Sequence, residues 1–174
     1  MKSRKGILVV VGTGLAILGV VAYASTSNIL GVGTIPYSEL VNGPAQMTAR
    51  QFVSQPGEMG GWHSHPGPVF SVVTSGALTV EDGCGGEETF TAGQAFEQIG
   101  GRVHRWKNLG AVPEAEYNMF VIPDGVALAD QLPERRCGPP RSNSDCRHNG
   151  WMTFDFPAKF ANQGECMQYV RKRQ

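Results

Sequence analysis

What this sequence lacks narrows it at once. Neither sign of charge is in surplus, with 15 Lys+Arg against 15 Asp+Glu, so the electrostatic footprint of a nucleic-acid binder is missing. Charged residues make up only 17% against 41% hydrophobic, which excludes a solvated, disordered tail protein. No Cys-x-x-Cys pair occurs among Cys84, Cys137, Cys146 and Cys166, which argues against a thiolate zinc site. No repeat with a period of about 20–50 residues is visible, so a solenoid or propeller is excluded. Between residues 45 and 123 there is no helical insert of about 10–15 residues, so βαβ units are excluded as well.

The charge balance conceals an asymmetry. Lys2, Arg4 and Lys5 precede a charge-free run of 19 residues, Gly6 to Ala24, which closes on Ala22-Tyr23-Ala24. That is the layout of a signal peptide with a small-x-small cleavage site. The alternative is a retained membrane anchor, since 19 apolar residues just span a bilayer core of about 30 Å. Either reading leaves the cationic end in the cytoplasm and places residues 25–174 outside it. Without the leader, 12 cations face 15 anions, a net charge of −3. Four cysteines in an exported chain point to two disulfides. Three connectivities are open; Cys137 and Cys146, flanking an eight-residue loop, are the simplest local pair.

Residues 25–44 are small, polar and dotted with glycine, and read as a linker or a first edge strand. From 45 to 123, short runs rich in Val, Phe, Thr and Met alternate with glycine-containing turns: Met47–Val53, Val69–Thr74, Ala77–Val80, Glu88–Phe90, Phe96–Ile99, Val103–Trp106 and Tyr117–Ile122. This spacing predicts an all-β sandwich or barrel. Residues 124–174 read as an extension tied down by disulfides. Val126–Leu132 is expected to make about two helical turns stopped by Pro133, and Cys137–Asn149 is a loop by composition. Trp151–Arg173 reads as an aromatic covering segment with a basic tail.

Four histidines are present, and two of them form His63-Ser64-His65 in a stretch expected to be extended. Residues i and i+2 of a strand share a face, so the two imidazoles fall together. His104, on a separate expected strand, is the natural third member. Three nitrogen ligands on one side of a metal leave its other positions open to water or substrate.

The surrounding spacing resembles the cupin superfamily. Its first motif is matched by Gly57, five residues, His63-Ser64-His65, three residues, position 69, six residues and Gly76, with Val69 where the family has Glu. The second is matched by Gly93, five residues, Ile99 in place of Pro, one residue, Gly101, two residues, His104, three residues and Asn108. The interval of 16 residues between them is close to the family's shortest, and the resemblance covers roughly residues 45–123. It implies a double-stranded β-helix, a conical jelly roll, holding one divalent metal at His63, His65 and His104. With Val69 lacking a donor, the resemblance is to the three-histidine variant.

Three neutral ligands leave the metal's charge uncompensated, which favours a small anionic partner such as a carboxylate, enolate or diketonate. Zn, Fe, Mn, Cu and Ni all remain open as the metal; export weighs against ferrous iron, while likeness to three-histidine dioxygenases weighs for it. Glu97 or Gln98 can supply a replacement ligand or base, since alternation sends one of them inward. Glu97, and after it Tyr117, is the candidate catalytic base. Arg102 and Trp106 share the parity of His104 and are pocket candidates, joined by Phe70 as barrel lining; His148 is expected in a solvent-exposed loop.

The function expected is an exported metal-binding cupin that oxygenates, isomerises or lyses a small anionic organic substrate, dioxygenase-like in the leading form. The alternative is a non-catalytic extracytoplasmic module that captures a small ligand or metal. A homodimer through edge strands is a further expectation, and membrane contact is expected only if the leader is retained.

Overall fold

The structure, a computed structural model, describes residues 24–172. The expected leader, residues 1–24, therefore lies outside the described residues except for Ala24. Among the described residues ten strands occur, in chain order: β1 Thr26–Ser38, β2 Gly43–Ser54, β3 His63–Ser64, β4 Val69–Ser75, β5 Ala77–Asp82, β6 Glu87–Thr91, β7 Ala95–Gln98, β8 His104–Lys107, β9 Glu114–Pro123 and β10 Asp130–Gln131. A 3-10 turn, Gly150–Thr153, and a helix α1, Gln163–Arg171, follow. The strands form two five-stranded antiparallel sheets, ordered β1-β2-β9-β4-β7 and β10-β3-β8-β5-β6. From β3 onward the chain shuttles between the two sheets, with only the β5–β6 hairpin staying in one. This is the double-stranded β-helix.

Alternation decides what each strand offers the interior. On β4, Val69, Ser71 and Val73 are buried while Phe70 and Val72 are exposed. On β9, Glu114, Glu116, Asn118, Phe120 and Ile122 all face inward. Val69, Phe120 and Ile122 form an apolar floor against which Leu128 packs. Thr48, Ser54, Ser71, Thr79, Asn118 and the two glutamates make much of the remaining lining polar. An interior this polar needs partners for its groups and leaves room for a wet cavity.

Gly57, Gly76, Gly93 and Gly101 have φ of 80°, 69°, 88° and 78°. At Gly76 the requirement is double, because a Cβ there would also lie 2.7 Å from the carbonyl oxygen of Pro113 and 2.9 Å from Cα of Glu114. Only glycine closes that turn against the start of β9.

β1 is the edge strand of its sheet, with Ile29, Leu30 and Val32 more than half exposed. The helix expected at Val126–Leu132 does not form. That stretch contains β10, which pairs with β3 through Asp130–Ser64 and Gln131–His63. The free backbone edge of β3 outweighs a weak helical propensity.

The cysteines pair as Cys84–Cys137 and Cys146–Cys166, which replaces the local Cys137–Cys146 pairing. The first bond ties the β5–β6 turn to the C-terminal extension. The second joins the loop before the 3-10 turn to α1, inside a small separate core of Cys146, Phe160, Cys166 and Val170. That core and helix were not anticipated in the aromatic covering segment. The helix is capped by the Asn162 side chain, which accepts from the Glu165 amide, while the Glu165 carboxylate accepts from the Ala161 amide. No helix among the described residues is long and apolar enough to cross a membrane.

Candidate metal centre

His63 and His104 are direct cross-strand partners on β3 and β8, and His65 follows two residues on. The three rings stand 4.5–5.2 Å apart, centroid to centroid, and each offers one nitrogen within 4.8 Å of the other two.

Which nitrogen that is follows from hydrogen bonding. Nδ1 of His63 faces the carbonyl of Gly61 at 2.9 Å, Nδ1 of His65 that of Leu128 at 2.6 Å, and Nδ1 of His104 that of Arg102 at 2.9 Å. A carbonyl only accepts, so each Nδ1 carries the proton and donates it. In a neutral ring the lone pair is then on Nε2. Backbone carbonyls orienting metal-binding histidines through Nδ1–H is the expected supporting arrangement.

The rings are held neutral. Desolvation pushes His65 down to about 4, against the Leu128 carbonyl, which acts the other way. It pushes His104 down to about 3, reinforced by the charges of His63 and His65. His63 is lowered by desolvation as well. Three converging lone pairs with no proton of their own are the donor set a divalent metal requires, so these residues fit the ion that the resemblance implies.

The histidines line a cavity of about 170 Å3, which they share with Arg50, Gln98, Trp106, Glu116 and Phe120. On the far side of His104 and Gln98 lies a second cavity of about 280 Å3 at the β6–β7 seam, walled by the stacked Phe90 and Phe96 and rimmed by Arg102.

Several expected site residues lie elsewhere. Glu97 and Gln98 are separated by parity: Gln98 turns inward and meets Nε2 of His104 at 2.9 Å, while Glu97 is exposed and only reaches the seam cavity. Tyr117 and Phe70 point outward, 46% and 42% exposed, on the outer face of their sheet. Both fall one position from an inward residue, so neither lines the histidine cavity. Arg102 pairs with Asp82 at 2.5 Å and faces the seam. Trp106 does line the histidine cavity and packs edge-on against Phe52. His148 is exposed.

Two cavity residues escaped the sequence reading. Arg50 projects from β2 with its guanidinium over the rings of Phe52 and Phe120. It donates from Nε and Nη2 to Oδ1 of Asn118 at 2.8 and 2.6 Å, and among the described residues it has no ion-pair partner. Glu116, 3% exposed, has an Oε2 with no hydrogen-bond partner. Desolvation raises its carboxyl above the usual range, opposed by Asn118 and Arg50. The signal for both was alternation: Thr48-x-Arg50-x-Phe52 and Glu114-x-Glu116-x-Asn118 each put polar groups on an inward face. Starting the last barrel strand at Tyr117 hid the two glutamates.

The fold is thus a double-stranded β-helix with a histidine centre inside it. Residues 50–122 match the family model Cupin_2, described as a cupin domain. That stretch, under half of the chain, is similar to the cupin domain in sequence pattern and in strand topology. No curated protein matches the chain. A solved structure similar to it is the Cupin_2 domain of an XRE family transcriptional regulator from Enterobacter cloacae, 20% identical, covering 57% of this chain and 97% of that one with a TM-score of 0.43. A second is an uncharacterised conserved protein with a double-stranded β-helix domain from Klebsiella pneumoniae subsp. pneumoniae, 22% identical, covering 62% and 86% with a TM-score of 0.47. A third is the DMSP lyase DddQ from Ruegeria pomeroyi, 13% identical, covering 63% and 52% with a TM-score of 0.48.

Proposed function

We infer that this protein is an exported, metal-dependent cupin that binds one divalent ion at His63, His65 and His104 and acts on a small anionic organic molecule. The observation that carries this reading is the set of three Nδ1–H donors on backbone carbonyls, which leaves three unprotonated Nε2 atoms converging in one cavity. When bound, a divalent ion there acts as a Lewis acid toward an oxygen-bearing ligand. Arg50 supplies the second positive charge. Its side chain is partly desolvated, makes no ion pair among the described residues although the Glu116 carboxyl shares its cavity, and keeps donors free, which suits a carboxylate held between it and the histidine centre.

Glu116 is the group for proton transfer. It lines the same cavity with a buried, unpartnered oxygen, and its raised carboxyl brings its ionisation nearer to neutral pH, as a general base requires. A base in this position favours isomerisation or lysis over oxygenation. A cavity of about 170 Å3 limits the reacting part of the substrate to a few heavy atoms. Export rests on the leader and is supported by two disulfides with no free cysteine among the described residues.

The test is a screen of small hydroxy-, keto- and unsaturated carboxylates with the metal-loaded protein, run beside Glu116→Gln. Turnover lost in the variant with substrate binding retained supports catalysis. Binding without turnover in both proteins identifies the non-catalytic module instead.

A further inference from the structure

Position 69, where the family carries its fourth ligand, is here a valine buried in the apolar floor. Its register partner across the β4–β7 pair is Gln98. The amide of Gln98 reaches the place that Val69 cannot serve. Its Oε1 stands 2.9 Å from Nε2 of His104, and Gln98 lines the same cavity as His63 and His65.

The His104 contact is unusual as a hydrogen bond. Nδ1 of His104 donates to the Arg102 carbonyl, so in the neutral ring Nε2 holds a lone pair. Gln98 Oε1 also carries lone pairs and no proton. With the amide so placed, two acceptors stand 2.9 Å apart, a separation at which one cation held by both satisfies them.

The neighbouring groups accommodate that orientation of the amide, although the Ser71 hydroxyl, which donates as well as accepts, does not by itself impose it. Arg50 has donors only, which makes the Asn118 atom it binds the oxygen. Asn118 Nδ2 therefore donates to Ser71 Oγ at 2.8 Å, and Gln98 Nε2 points to the same hydroxyl at 3.5 Å. The nitrogen end of Gln98 is directed to Ser71 and its oxygen end to the histidines.

We propose that Gln98, through Oε1, is the fourth protein ligand of the metal, replacing from the neighbouring strand the carboxylate missing at Val69. This rests on the metal-binding reading and adds a donor to it. The resulting donor set is three imidazoles and an amide, all neutral. The ion keeps its full charge, and an anionic ligand arriving beside Arg50 meets no protein carboxylate on the metal.

The experiment measures Zn(II) affinity by competition with a chromophoric chelator, and the visible spectrum of the Co(II)-loaded protein, for the native chain, Gln98→Leu, Gln98→Glu and His104→Ala. Circular dichroism verifies folding of each. Gln98→Leu is expected to weaken Zn(II) binding by at least about tenfold and to change the Co(II) spectrum. Gln98→Glu, which supplies a carboxylate at the same point, is expected to tighten binding by about tenfold with a spectrum distinct from both. If Gln98→Leu does not fold, the Gln98→Glu affinity and spectrum decide. Affinities within about twofold of native and superimposable spectra for the folded Gln98 variants, with His104→Ala abolishing binding, overturn the fourth-ligand role alone. They would mean that the amide is turned over and merely donates to His104. A native chain that binds neither ion overturns the metal-binding reading itself.

Discussion

Replacing Glu114 by glutamine tests whether the polar inner face of β9 holds the protonation states that burial imposes. Glu114 is fully buried. Its Oε2 accepts from Ser54 Oγ at 2.9 Å, and its Oε1 has no partner. Desolvation first, and then the neighbouring charge of Glu116, push its carboxyl from 4.5 up to about 7. The folded value is raised, so the folded state keeps a proton that the unfolded chain gives up as pH rises. Its contribution to stability is therefore complete below about pH 4.5 and is lost as pH rises to about 7. At 1.36 kcal/mol per pH unit, a separation of about 2.5 units amounts to about 3 kcal/mol. Glutamine does not titrate, and its amide oxygen can still accept from Ser54. The unfolding free energy of Glu114→Gln minus that of the native protein should thus grow by about 3 kcal/mol between pH 4.5 and pH 8. Urea titrations at several pH values and fixed ionic strength measure it, with the two m-values compared at each pH. Taking the difference removes the titration of the histidines, which runs in the opposite direction. A difference that stays constant within about 0.5 kcal/mol over that range would refute the assignment of a buried, neutral Glu114.

Three other outcomes are expected. Arg50→Met should leave Zn(II) affinity within about twofold of native while weakening acetate binding to the Zn(II)-loaded protein by about tenfold or more, measured by calorimetry; equal acetate affinity removes Arg50 as the anion anchor. In the metal-free protein, His65 and His104 have folded values below their unfolded ones, so the unfolded chain takes up protons first, and stability present above about pH 6.5 falls on acidification toward about 4. His104→Asn should remove up to about 1.4 kcal/mol per pH unit from that slope between pH 6 and 4.5, and an unchanged slope would mean that His104 is not buried neutral. Breaking Cys84–Cys137, which closes 53 residues, should cost up to about 4 kcal/mol, and breaking Cys146–Cys166, which closes 20, up to about 3 kcal/mol, by the chain-entropy relation; thermal melts of the paired Cys→Ser variants showing the reverse order would place the extension's anchorage elsewhere.

The parts legible in the sequence were those that spacing encodes. Glycines at turns and short alternating runs pointed to the barrel, and all four motif glycines have positive φ. His63, His65 and His104 meet because strand alternation and the β3–β8 pairing put them on one face. Parity was the weak point. Choosing Glu97 over Gln98, or Tyr117 over Glu116, shifts by one residue, and in a strand one residue separates the interior from solvent. Nothing local to either dipeptide fixes the choice; register against β4 and β2 does. Arg50 was invisible for a related reason. An arginine on a strand is ordinarily a surface residue, and here contacts to the distant Phe120 and Asn118, with Phe52 two residues along, hold it inside. Two disulfides were legible in the four cysteines but their pairing was not, because the shortest loop is not the nearest pair in space: Cys84 sits on a hairpin turn against which the extension folds back.

His63, His65 and His104 together form a site for one divalent metal if the inferred function holds. Elemental analysis of the purified native protein tests it most directly, with His63→Ala and His104→Ala purified in parallel. One equivalent of a divalent metal per native chain, lost from both variants while circular dichroism shows them folded, is the result predicted. Sub-stoichiometric metal that is the same in the native protein and in both variants would contradict it.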